Sequence, residues 1–211
     1  MKLEEIRSKT GKLLVFDKTA LKLLEKDDNN LSANLKYWLK NGDLIALKKG
    51  LYILRDKYEK ESSKNEYLEY LANKILMPSY LSLEYVLDKY SLLSESARAL
   101  TSISNKAARE FSNPLGVWRY YSLPAKLFTG YKIKYFKSQP FFEASKAKSL
   151  FDFLYLRFRR GNEPNEDSFL NLRLNLENLT KLEKAELLAY FKLAPGKRFQ
   201  RLKKIIEKYV A

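Results

Sequence analysis

The groups in this chain able to do chemistry are carboxylates, lysines, tyrosines and serines, because its 211 residues include no histidine and no cysteine. That alone removes Ser-His-Asp and Cys-His catalysis, zinc hydrolysis, zinc fingers and disulfides. Among the carboxylates, Asp27-Asp28 fall in a polar stretch, and Glu143, Asp152 and Glu163 are scattered around a region of helical pattern, with no Asp-x-Asp pair. A magnesium site generally needs two carboxylates converging beside a phosphate, and a nucleotidyltransferase of the common type adds a Gly-Ser turn before them. Neither is present, and the seven glycines contain no G-x-x-x-x-G-K phosphate loop. The chain is read as a non-enzyme without cofactor or metal.

The lysines are better arranged, for holding phosphate rather than for catalysis. Lys36 and Lys40 stand one helical turn apart around Tyr37, and Lys48-Lys49 precede a glycine between two β-prone runs. Leu31, Leu35, Trp38 and Leu39 recur at the helical interval, which buries one stripe and turns Ala33, Lys36, Tyr37 and Lys40 outward. Asn29, Asn30 and Ser32 stand where an N-cap is wanted, and Gly42 provides a left-handed stop. Beyond it, Leu44 to Leu47 and Leu51 to Leu54 form a hairpin about Lys48-Lys49-Gly50. Upstream, Leu3, Ile6 and Leu13 mark a first helix, and Asp17 caps a second holding Ala20, Leu21, Leu23 and Leu24. Three helices and a hairpin make a winged helix-turn-helix over residues 1–60, whose third helix enters the major groove of DNA. Asn30, Ser32, Lys36, Tyr37 and Lys40 then face the groove, while Lys18, Thr19, Lys48 and Lys49 face phosphates. The same short pattern also serves purely structural or protein-binding modules.

A formal net charge of +15 points to an anionic partner, nucleic acid first. The charge is unevenly spread: residues 1–60 hold 14 Lys and Arg against 9 Asp and Glu, residues 61–130 hold 8 against 7, and residues 131–211 hold 18 against 9. The largest excess therefore lies outside the DNA-reading region.

Asp56 to Asn65 is polar throughout and reads as a linker, with a boundary near residue 60. Residues 61–211 read as a mixed α+β domain ending in helices, so the fold class expected for the whole chain is α+β. A helical stretch holds Tyr67, Leu71 and Ile75, and Ser82 caps another with Val86 and Leu87. Strands are expected at 101–104, 116–123 and 131–136, and helices over 144–160, 168–175, 181–193 and 197–210. In the third strand Tyr131, Ile133 and Tyr135 alternate with Lys132 and Lys134, which suits a protected sheet edge or a stacking surface. The last helix has Phe199, Leu202, Ile205, Ile206 and Tyr209 on one stripe and six cations around it. Such a helix can dock on phosphates or an acidic partner, or pack with a solvated lysine face.

Three blocks carry a family likeness: Leu39-Lys40-Asn41-Gly42-Asp43-Leu44-Ile45 continuing to Tyr52, Pro78-Ser79-Tyr80-Leu81-Ser82-Leu83-Glu84-Tyr85 continuing to Leu87, and Ala144 to Tyr155. In that order they resemble the AbiEi antitoxin family of bacterial type IV toxin-antitoxin systems, which act in abortive infection. The family's third block reads Glu-Lys-Ala-Leu-x-Asp; Lys148, Leu150 and Asp152 keep it, whereas Ala147 replaces the glutamate and Ser149 the alanine. The resemblance implies a winged helix that represses its own operon by binding promoter DNA. It also implies a C-terminal domain that counteracts a nucleotidyltransferase-like toxin without forming a stable complex with it. RNA, the toxin's nucleotide substrate or a protein would then meet an antitoxin surface comprising Lys148, Asp152, Lys197, Arg198, Arg201 and Lys204. The alternative from another class is a basic RNA-binding or adaptor protein that works through its last helix and keeps the winged helix as a scaffold. The N-terminus lacks a long apolar run, so no membrane partner and a cytoplasmic location are expected.

Overall fold

The computed structural model describes residues 3–10, 13–23, 25–161 and 163–210. Leu24, expected in the second helix, lies outside them.

The chain opens with α1 (Leu3–Thr10), β1 (Phe16–Asp17), α2 (Lys18–Lys22), α3 (Asp28–Asn41) and the hairpin β2 (Leu44–Lys48) and β3 (Leu51–Leu54). The three strands form an antiparallel sheet with β3 in the middle. Asp17 caps α2 as expected, its carboxylate accepting from the Ala20 amide at 2.8 Å. The cap of α3 differs from expectation: Asp27 accepts from the amides of Asn29 and Asn30 at 2.8 and 3.1 Å, so Asn29, Asn30 and Ser32 lie inside the helix. Gly42, at φ +79°, ends it in the left-handed conformation that a side chain would resist. Leu31, Leu35 and Trp38 are buried with Ile6, Phe16, Leu21, Leu44 and Leu54 in one apolar cluster. Leu13 falls past the end of α1 and is exposed.

The polar stretch after the hairpin is not an extended linker. It folds directly into α4 (Arg55–Glu59), and Glu61 beyond it is buried against Lys137. Next come α5 (Lys64–Ile75), β4 (Ser79–Leu81), α6 (Glu84–Lys89), β5 (Leu100–Ser104), β6 (Arg109–Asn113), β7 (Gly116–Ser122), β8 (Tyr131–Phe136) and β9 (Gln139–Ala144). The chain finishes with α7 (Lys146–Phe158), α8 (Glu166–Leu170), α9 (Lys181–Leu193) and α10 (Lys197–Val210). Six strands form one mixed sheet in the order β6-β7-β5-β4-β9-β8. The fold is therefore mixed α+β. Its sheet carries α5 on one face and α7 on the other, with α9 and α10 packed outside α7.

Four strands, β1, β4, β6 and β9, escaped the sequence reading. Three-residue β4 is too short to show a period, and β6 is mostly polar. The β8–β9 turn uses Lys137-Ser138 at φ +45° and +64° in place of the usual Asn-Gly signal. Ser82 does not cap α6; its hydroxyl is bonded to Asp152 instead. The helix expected over 168–175 is the shorter α8, capped by Asn165. Strand β8 does form a sheet edge, but its faces are reversed: Ile133 and Tyr135 are exposed, whereas Lys134 reaches the buried Glu143 at 3.6 Å.

The first 54 residues are not a separate bead. Ile45, Leu47 and Ile53 of the hairpin join Tyr67, Leu71, Trp118 and Phe136 in a shared apolar cluster, and Asn113 of β6 donates to the Leu47 carbonyl at 3.0 Å. Among the described residues no helix is long and apolar enough to cross a membrane.

Candidate nucleic-acid interface

Helix α3 docks on the small sheet through its apolar stripe and leaves the opposite side open. Asn30, Ser32, Lys36, Tyr37 and Lys40 are all exposed there, Tyr37 by 61%. A phenol and two ammonium groups on one convex helix face match what a polyanion with stacked bases offers. Ser32 is partly committed: its hydroxyl donates to the Asp28 carbonyl at 2.6 Å and accepts from Lys18 Nζ at 3.2 Å. Lys18 also lies 3.7 Å from Asp28, and Lys22 donates to the same carboxylate at 3.0 Å. The Lys22 hydrogen bond holds the Asp28 carboxyl below its ordinary range. Such exposed pairs are weak, so a phosphate can compete for Lys18. Thr19 is exposed at the start of α2.

The hairpin tip treats its two lysines differently. Lys49 is exposed beside Gly50, which turns the chain at φ +82°. Lys48, expected on a phosphate, is directed inward: the β2–β3 register shifts between Ala46 and Lys48, and its Nζ donates to the Ile75 carbonyl at 2.6 Å. A bulge re-aims the side chains that follow it. Burial, helped by repulsion from Lys106 and Arg109, lowers the Lys48 ammonium below its usual value.

No protein-family model, curated protein or solved structure matches the chain.

Lys148 and Asp152, assigned to a surface, are both fully buried and ion-paired to each other. Asp152 also accepts from the Ser82 and Tyr80 hydroxyls at 2.8 and 3.0 Å. Burial pushes its carboxyl up and the Lys148 ammonium down, against the pull of the pair. Arg198 is likewise structural, donating to the carbonyls of Phe158 and Gly161 at 3.2 and 3.1 Å. Lys197, Arg201 and Lys204 are exposed on α10.

The carboxylates do not converge as a metal site would require. Glu143 lies on β9 and, with Glu69 of α5, holds Lys89 of α6, each at 2.6 Å. Burial alone would lower the Lys89 ammonium, but the hydrogen bonds to Glu143 and Glu69 outweigh it and raise the value. Glu163 pairs with Arg198 at 3.3 Å. Among the described residues no group of three His, Cys, Asp or Glu side chains could hold a metal ion.

Sequence reasoning missed Arg98, Arg157 and Arg173, which line one cleft from three separate segments. No local spacing connects them. Asp27 could have been found, because Asp followed by a helical stripe is a capping signal.

Proposed function

We propose that the protein is a regulator that reads double-stranded DNA with α3 and acts as the antitoxin of a type IV toxin-antitoxin system, repressing its own promoter. The observation that carries the DNA-reading part is the open face of α3, where Lys36, Tyr37 and Lys40 are exposed opposite a fully packed stripe. The order helix, strand, helix, helix, hairpin around a three-stranded sheet supports it, as a winged helix would have that order. The short hairpin is docked against β6 and offers only Lys49 to a phosphate, so α3 carries the recognition. The antitoxin part rests on the likeness to the AbiEi family. In it, the C-terminal part opposes a nucleotidyltransferase-like toxin encoded beside this protein.

The test is a gel shift of the full chain with the duplex from upstream of its gene, a shuffled duplex and single-stranded RNA of the same sequence. The upstream duplex should bind tightest, by about a thousandfold or more over the shuffled one at physiological salt. Tighter binding of RNA would favour the second reading, in which Lys197, Arg201 and Lys204 on α10 form the working surface. Co-expression with the neighbouring toxin checks the other half. Lys36→Ala with Lys40→Ala should abolish repression yet leave rescue of growth intact, and failure of the unaltered chain to rescue growth would remove the antitoxin assignment.

A further inference from the structure

Loop 93–99, strand β7, the outer side of α7 and the turn after α8 enclose a cleft of about 820 Å³. Four arginines line it, each from a different segment: Arg98 from the loop, Arg119 from β7, Arg157 from α7 and Arg173 from the turn. Arg119 is braced by Glu110 at 2.7 Å. The guanidinium groups of Arg98, Arg157 and Arg173 make no hydrogen bond or ion pair among the described residues. These three side chains are exposed and free to turn to a ligand, and an anion with several oxygens can accept paired hydrogen bonds from such guanidinium groups.

The lining also holds a buried acceptor. Glu84 also lines the cleft, and its Oε2 is buried without a hydrogen-bond partner. It follows Leu83, whose φ of +62° with ψ of −145° is a backbone conformation leucine rarely adopts. A buried acceptor with no donor calls for one from a ligand. Tyr121 and Phe153, both half-buried, add aromatic faces to the same lining.

We propose that this cleft binds a nucleoside triphosphate, with the phosphates on the arginines, the base against Tyr121 or Phe153, and a ribose hydroxyl or base N–H donating to Glu84. Inorganic phosphate would satisfy the arginines but leave the Glu84 oxygen and both rings without partners. The volume falls in the range of sites that enclose small molecules, about 300–1,000 Å³. The assignment stands on the C-terminal part and does not depend on DNA reading by α3.

Calorimetric titration of the full chain with ATP, GTP, CTP and UTP, and with tripolyphosphate alone, tests it. At least one nucleotide should bind with micromolar affinity, about tenfold or more tighter than tripolyphosphate. Arg98→Ala with Arg157→Ala should weaken that nucleotide by about a hundredfold without moving the thermal midpoint, each lost charge-assisted bond accounting for roughly tenfold. Arg173→Ala, at another exposed side chain, repeats the test should the double variant fail to fold. Glu84→Gln should reorder the four nucleotides and leave tripolyphosphate binding unchanged. Lys197→Ala with Lys204→Ala, outside the cleft, should change nothing. The proposal is overturned by the absence of saturable nucleotide binding below about 1 mM, by equal affinity for tripolyphosphate and nucleotides, by tighter binding of single-stranded RNA at the same arginines, or by loss of binding in the α10 variant.

Discussion

Replacing Asp152 with alanine and replacing Lys148 with methionine should each destabilise the protein, with opposite dependence on pH. Both side chains are fully buried, and the Lys148 ammonium lies 5.1–5.5 Å from the rings of Phe151, Tyr80 and Tyr190. Removing one partner leaves an uncompensated buried charge, which costs about 3–5 kcal/mol. In Asp152→Ala the ammonium loses its counter-charge, and the Ser82 and Tyr80 hydroxyls lose their acceptor. Its folded pKa, already lowered by burial, falls further, so the folded protein holds fewer protons than the unfolded chain. Stability then rises with pH towards the ordinary lysine value of 10.5. In Lys148→Met the carboxyl is pushed further up, and the folded protein keeps a proton that the unfolded chain releases. Stability is then greatest below the ordinary aspartate value of 3.8 and is lost as pH rises through the folded value. Each slope is at most about 1.4 kcal/mol per pH unit. Guanidinium unfolding of both single variants and the double variant at several pH values reads these terms directly. The double variant should lose less than the two single losses combined, because neither charge is left alone. Parallel pH profiles for the two single variants, or losses below about 1 kcal/mol, would refute the buried ion pair.

Two further outcomes follow from the geometry. Lys49→Ala should flatten the plot of log affinity for duplex against log salt by up to about 0.9, whereas Lys48→Ala should leave that slope unchanged and reduce folding stability by about 1 kcal/mol through the lost bond to Ile75. Gly130→Ala, at φ +78°, would drive a new Cβ into the Tyr190 hydroxyl and to 2.9 Å from Lys148 Cδ. It should destabilise by more than about 2 kcal/mol in chemical unfolding, and Tyr190→Phe should recover part of that loss.

What the sequence disclosed was local. The stripe of Leu31, Leu35 and Trp38 and the stop at Gly42 lie within a few turns of one another, and α3 forms where they indicate. Helices α9 and α10 occupy 181–193 and 197–210 for the same reason, a sustained period with caps or breakers at the ends. The failures were non-local. Lys148 and Asp152 stand four apart on a helix and look like an ordinary solvated pair; Tyr80 and Ser82, some seventy residues earlier, bury them. Lys48 looks like a hairpin-tip cation until the bulge after Ala46 turns it towards Ile75. Four arginines that share a cleft have no common period, because a loop, a strand, a helix and a turn distant in sequence each bring one of them.

The most direct measurement of the central claim is fluorescence anisotropy of a labelled upstream duplex titrated with the full chain over a range of salt, for the unaltered protein and for Lys36→Ala with Lys40→Ala. If α3 reads DNA, the variant should bind more weakly and its salt slope should fall by up to about 1.8, two phosphate contacts at roughly 0.9 each. An unchanged affinity and slope, with the protein still folded, would contradict the reading of α3 as the element that meets DNA.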